Sequence, residues 1–186
     1  MRFHPTPLPG AFVIEPEPST DERGWFGRIF CAEEFEKYGL DPRVAQTNRS
    51  YTGKKGTLRG LHFQSPPWQE NKLVFCSAGI VLDIIVDLRP SSPSFRSWHA
   101  VELSAESRRA VYVPEGFAHG YQTLTDDAEL FYQISVPYHP ECQGGVRWDD
   151  PTFQIRWPLA PTLISARDRS FPEFEIAKNP FHALGG

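Results

Sequence analysis

Cysteine is scarce. Cys31, Cys76 and Cys142 stand at long spacings, and no Cys-x-x-Cys occurs. An odd count in this arrangement argues against a disulfide framework and against a structural zinc site. No apolar run approaches the roughly 18 residues a membrane-spanning helix needs. The start, Met1-Arg2-Phe3-His4-Pro5, lacks an apolar signal core. A cytoplasmic protein without a membrane partner is the expectation. Basic residues are not in excess: 19 Lys and Arg against 23 Asp and Glu give a formal net charge of -4. That balance argues against nucleic acid as the main partner, although local basic groups can still hold a phosphate. Gly-x-Ser-x-Gly and the two phosphate-binding glycine loops, G-x-G-x-x-G and G-x-x-x-x-G-K-[ST], are also missing. A serine-hydrolase elbow, a nicotinamide site and an ATP-hydrolysing loop are therefore not expected.

Helical periodicity is nearly absent too. The one clear segment is Ala32 to Tyr38, closed by Gly39. What the chain has instead is turn chemistry: 18 prolines and 14 glycines, spread between short apolar runs. That pattern predicts an all-β domain, a sandwich, jelly roll or small barrel, with short peripheral helices. No repeat and no linker divides residues 1–186, so a single domain is expected. Pro5, Pro7 and Pro9 keep the first ten residues extended. Such an arm needs a sheet edge. A neighbouring subunit could supply one, and the expectation is a homodimer that exchanges strands within residues 1–30. Residues 174–186 are expected to be poorly ordered.

The densest chemistry lies between Gly56 and Lys72. Leu58 to Gln64 reads as a half-buried strand that carries Arg59, His62 and Gln64, and Lys72 opens the next strand. These groups are costly to bury without polar partners. Either they form an anion site with a titratable neighbour, or the strand simply faces water. Arg59 and His62 have opposite parity, so a regular strand would separate them. Gly60 between them predicts a bulge that returns both to one face. Gln46, Asn48 and Ser50 share a face of the strand Val44 to Thr52, which is either solvated or the lining of a polar cavity. Asp83 sits between Val81 and Ile85, and both an enclosed and an exposed carboxylate are open.

Metal chemistry is not expected. A cupin metal site often carries His-x-His, and here the second imidazole is replaced in His62-Phe63-Gln64, although Glu70 and His119 stand in suitable places. General acid–base chemistry remains. His62 is the natural base, Tyr132 can donate a proton, and Lys72 or Arg59 can stabilise an oxyanion.

Several motifs occur in one family's order. They are Asp-Glu-Arg-Gly at 21–24, Gln-Thr-Asn-Arg-Ser at 46–50, Leu-Arg-Gly-Leu-His-Phe-Gln at 58–64, Lys-Leu-Val at 72–74, Pro-Glu-Gly-Phe-Ala-His-Gly at 114–120, Phe-Tyr-Gln at 131–133 and Ser-Ala-Arg-Asp at 165–168. From about residue 10 to about residue 172 the chain resembles the dTDP-4-dehydrorhamnose 3,5-epimerases, the RmlC-type cupins. The resemblance implies a double-stranded β-helix, a homodimer, no cofactor, and a nucleotide-diphosphate sugar as substrate. It implies His62 as base paired with Asp168, Tyr132 as acid on the other face of the sugar, and Lys72 near the ketone. Arg23, Gln46, Asn48, Arg59 and His119 match positions around the nucleotide, diphosphate and sugar. Phe26 and Arg28 belong to the same expected binding set, and Asp83 is expected behind it. Two departures stand out: Arg28 replaces a usual Glu, and Gln133 an often-seen Lys. The alternatives are a single-centre epimerase, an enzyme for a CDP-linked or other sugar, and a non-catalytic sugar-binding cupin.

Overall fold

The architecture is known from a computed structural model, which describes residues 1–184. Fourteen strands and two short helices follow one another in chain order: β1 Arg2–Pro5, β2 Phe12–Glu15, β3 Ser19–Asp21, β4 Gly24–Phe26, α1 Ala32–Lys37, β5 Gln46–Thr52, β6 Thr57–Gln64, β7 Lys72–Ala78, β8 Ile80–Asp87, β9 Trp98–Ser104, β10 Ala110–Val113, β11 Phe117–Thr123, β12 Ala128–Ile134, β13 Gln143–Gly145, β14 Leu163–Ile164 and α2 Ala166–Arg169.

Two sheets carry the fold. The first runs β1-β2-β10-β7-β12-β5, and the second runs β13-β6-β11-β8-β9 with β14 added parallel to β6. The β3–β4 hairpin belongs to neither. This is the jelly-roll arrangement expected from the sequence. Among the described residues no helix is long and apolar enough to cross a membrane.

Period two decides which side chains meet between the sheets. Val74, Cys76 and Leu130 from the first sheet pack on Val81, Ile85 and Tyr121 from the second. The second sheet is covered on its outer face as well. There Leu61, Phe63, Ile84, Val86 and Leu88 pack with Phe153 and Phe181. Burial on both faces explains the nearly unbroken apolar run of β8. On the outer face of the first sheet, α1 presses Phe35 against Phe3, Leu73 and Tyr112.

One expectation needs correction, that of a poorly ordered tail. The first strand of the N-terminal arm lies on its own chain: β1 pairs antiparallel with β2, Arg2 opposite Glu15 and Pro5 opposite Phe12. A turn makes this local return, with Gly10 at a φ of 88° and the Thr6 amide bonded to the Ala11 carbonyl at 3.1 Å. Trp25 and Phe26 end a small hairpin, and residues 27–31 follow as coil. The tail is packed over its described residues, and only 185–186 lie outside them. Residues 176–178 and 180–184 form 3-10 turns, and Phe181 is fully buried. Burying such a ring is worth about 1.5–3 kcal/mol, and the short polar-looking tail hides this anchor. Asn179 locks it further, donating to the Leu88 carbonyl at 2.7 Å.

Candidate active site

A cavity of about 560 Å³ opens between the two sheets. From the first sheet come Asn48 and Ser50 on β5, Lys72 on β7 and Tyr132 on β12; from the second come Arg59 and His62 on β6 and His119 and Tyr121 on β11. The cavity therefore has two chemically different walls, facing each other.

The Gly60 bulge is present. His119 pairs with His62 but Tyr121 pairs with Arg59, so β6 spends one more residue than β11 between the same points. Arg59 and His62 consequently reach one cavity. Only glycine fits there: its φ is 119°, and a Cβ would lie 2.6 Å from the Gly120 Cα.

Helix α2 brings the partner of His62 from more than a hundred residues away. Ser165 caps it, accepting the Asp168 amide at 3.0 Å. His62 Nε2 lies 2.7 Å from Asp168 Oδ1, and Asp168 Oδ2 accepts the Gly60 N–H at 3.0 Å. Burial pushes this carboxyl up, but the bonds from His62, Gly60 and Ser165 outweigh it and hold it below the usual range. An anionic Asp168 accepts the hydrogen bond of Nε2–H, which fixes the proton there and leaves the Nδ1 lone pair free to act as a base.

A second imidazole–carboxylate pair stands beside the first. His119 Nε2 lies 2.7 Å from Asp83 Oδ2. Asp83 is thus enclosed, not exposed. Burial raises its pKa, against the pull of His119 and Lys72. Its second oxygen, Oδ1, has no hydrogen-bond partner among the described residues.

On the opposite wall Tyr132 is held at its hydroxyl, 3.3 Å from Ser50 Oγ. Burial pushes its phenol well above the ordinary value; Tyr121 and Asp83 add to that, and the Ser50 bond pulls it back. Its neighbour Gln133 faces the other way, among Phe30, Phe35 and Val44. That departure from the family pattern is therefore outside the cavity.

Lys72 has a partner that the sequence reading weighed only as a metal ligand. Its Nζ lies 2.9 Å from Glu70 Oε1, and the two side chains are 11% and 10% exposed. The spacing of two residues was the available signal. Gln64, in place of a second cupin imidazole, is consumed structurally: its Nε2 donates to the Trp68 carbonyl at 3.1 Å and its Oε1 accepts the His139 amide at 2.6 Å.

Four expected binding residues do not line this cavity. Arg23 is committed to Asp21 at 2.5 Å on the exposed hairpin, and Phe26 is 82% exposed. Arg28 pairs with Glu34 at 2.7 Å. Gln46 supports the rim indirectly, donating to Asn48 at 3.0 Å and accepting the Tyr138 amide at 3.1 Å. For Arg23 and Phe26 the physical reason is topological: β3 and β4 join neither sheet. Arg167, missed in the sequence, does line the cavity.

Comparison with known proteins agrees with this geometry. The family profile described as dTDP-4-dehydrorhamnose 3,5-epimerase matches residues 5–175. The enzyme of that name from Methanothermobacter thermautotrophicus is 43% identical over 185 residues, covering 98% of each chain. The crystal structure of the same-named enzyme from Elizabethkingia anophelis superposes with a TM-score of 0.92 at 38% identity, over 96% of this chain and 98% of that one. A Legionella pneumophila structure, described as dTDP-6-deoxy-D-glucose-3,5-epimerase in complex with dTDP-4-keto-L-rhamnose, gives 0.85 at 36% identity over 94% and 98%. The chain belongs to the dTDP-4-dehydrorhamnose 3,5-epimerase family.

Proposed function

We propose that this protein inverts C3 and C5 of a dTDP-linked 4-dehydro-6-deoxyhexose, converting the D-gluco sugar to the L-rhamno configuration. The observation that carries the reading is the pair of facing walls. A base held by a carboxylate, His62 with Asp168, stands on one sheet, and a phenol, Tyr132, stands on the other.

The chemistry follows from the substrate. A ketone at C4 acidifies the hydrogens on C3 and C5, because each carbanion is an enolate. His62 removes the proton from one face. The Lys72 ammonium, steadied by Glu70, stabilises the charge on the C4 oxygen, which is usually a large contribution. Tyr132 returns a proton from the other face, and the configuration inverts. Each positioned acid or base contributes roughly 10²–10⁴-fold. His119 and Asn48 bind the sugar, with Asp83 orienting His119 from behind. Arg59 clamps the diphosphate through its guanidinium fork.

The working unit in this reading is a homodimer in the cytoplasm. Arg23, Phe26 and Arg28 then serve the nucleotide end of the partner's cavity, which accounts for the exposed hairpin that carries Arg23 and Phe26. Gln46 acts through Asn48.

The direct test supplies the protein with dTDP-4-dehydro-6-deoxy-D-glucose and its CDP-linked counterpart and follows the product by NMR. Conversion of the dTDP sugar to the L-rhamno product is expected. Conversion of the CDP sugar alone would overturn the nucleotide assignment, and conversion of neither would overturn the reaction.

A further inference from the structure

Behind Tyr132 runs a continuous line of hydroxyl groups that ends on a cation. Tyr132 Oη is 3.3 Å from Ser50 Oγ. Ser50 Oγ is 3.1 Å from Tyr121 Oη, and Tyr121 Oη is 3.0 Å from Thr52 Oγ1. Thr52 Oγ1 in turn receives the Nε–H of Arg59 at 3.1 Å. Tyr121 and Thr52 are 2% and 4% exposed, so water does not compete for the bond between them.

The end of the line sets its direction. Arg59 has donors only, so Thr52 must accept from it. The Thr52 proton is then free for Tyr121, the Tyr121 proton for Ser50, and the Ser50 proton for the Tyr132 oxygen. In this orientation Tyr132 is an acceptor at its back, and its own proton points toward the cavity. We propose that Ser50, Tyr121 and Thr52 form a relay of oriented dipoles that couples the Arg59 cation to Tyr132, aims the Tyr132 proton at the substrate, and stabilises the phenolate left after it is delivered.

The need is specific to this wall. Lys72 lines the same cavity, but its charge is engaged with Glu70, and the buried Asp83 disfavours a phenolate at Tyr132. His119 meets the Tyr132 ring edge-on with centroids 6.1 Å apart, and its Nε2 is taken by Asp83. A buried phenolate without donors is costly. Donors aligned in advance require no reorganisation when charge appears. Arg59 is also the proposed diphosphate clamp, and its Nε–H is the group that enters this line while its Nη2 donates to the Tyr51 carbonyl at 3.1 Å.

The inference rests on the reading that Tyr132 is the acid, and the test separates the two. Thr52→Val removes the link to Arg59 with little change of shape, and Tyr121→Phe removes the central hydroxyl. In D₂O the parent enzyme should couple deuterium uptake to inversion. In either variant inversion should fall about tenfold, the loss expected for roughly one hydrogen bond. His62, which is untouched, should still remove protons and return deuterons to the same face, so uptake with retained configuration should exceed inversion. Uptake and inversion slowing by one common factor, or neither slowing, would overturn the relay. A parent enzyme that takes up no deuterium would sink the reaction assignment instead. The relay is then judged without substrate: with a fluorotyrosine at position 132, followed by ¹⁹F NMR, Thr52→Val should raise the pKa of that phenol. An unchanged value would contradict it.

Discussion

His62 Nε2 and Asp168 Oδ1 are 2.7 Å apart, although the two residues come from a sheet strand and from a capped helical turn near the end of the chain. The carboxylate is also tied to the β6 backbone through the Gly60 N–H. Base, orienting acid and bulge thus form one mechanical unit. Asp168→Asn keeps the shape but removes the charge that stabilises an imidazolium. We expect kcat to fall by about 10²–10⁴-fold with KM nearly unchanged, measured by steady-state kinetics; a change confined to KM would contradict the orienting role.

How much of this was legible in the sequence differs residue by residue. The bulge was legible, because the opposite parity of Arg59 and His62 makes sense only if Gly60 takes an extra residue into the strand. The two faces of β8 were legible from alternation, but not which of them enclosed Asp83; that depended on His119 arriving from β11. The pairing of His62 with Asp168 came from motif resemblance, since no local pattern links residues so far apart. The packed tail was not legible, because a single buried ring, Phe181, carries it. Nor was the place of Arg23, whose ion pair with Asp21 lies in a hairpin that joins neither sheet, or of Arg28, whose partner Glu34 comes from α1.

The Glu70–Lys72 pair gives a second prediction. Lys72→Met removes the cation facing the enolate oxygen and should lower kcat by about 10²–10³-fold. Glu70→Gln leaves the ammonium but not its tether, and a loss of about tenfold in kcat is expected, the value of a charge-assisted hydrogen bond. In the double variant the Glu70 effect should vanish. Additive losses would show that Glu70 acts elsewhere.

Asp83 gives a pH-dependent one. Its folded pKa is raised, so it favours the folded state fully only below the unfolded pKa, and that contribution is lost as pH rises through the folded value. Asp83→Asn does not titrate. Its stability relative to the parent protein should therefore increase with pH across that window, in denaturant titrations at a series of pH values. A difference independent of pH would mean that Asp83 is not destabilised by its burial.

The proposed homodimer predicts complementation. His62→Ala and Arg23→Ala proteins should each be impaired. Mixed, dissociated and reassociated, they should regain activity, because one cavity of each mixed dimer has an intact His62 from one subunit and an intact Arg23 from the other. No recovery in demonstrated mixed dimers would place Arg23 outside the partner's site.

The central claim is that one base and one facing acid invert two carbons through enolates. Locating deuterium by NMR after turnover of dTDP-4-dehydro-6-deoxy-D-glucose in D₂O tests it most directly. The account predicts label at both C3 and C5 in the L-rhamno product, with uptake abolished in His62→Ala. Label at a single carbon, or full uptake in the His62 variant, would contradict it.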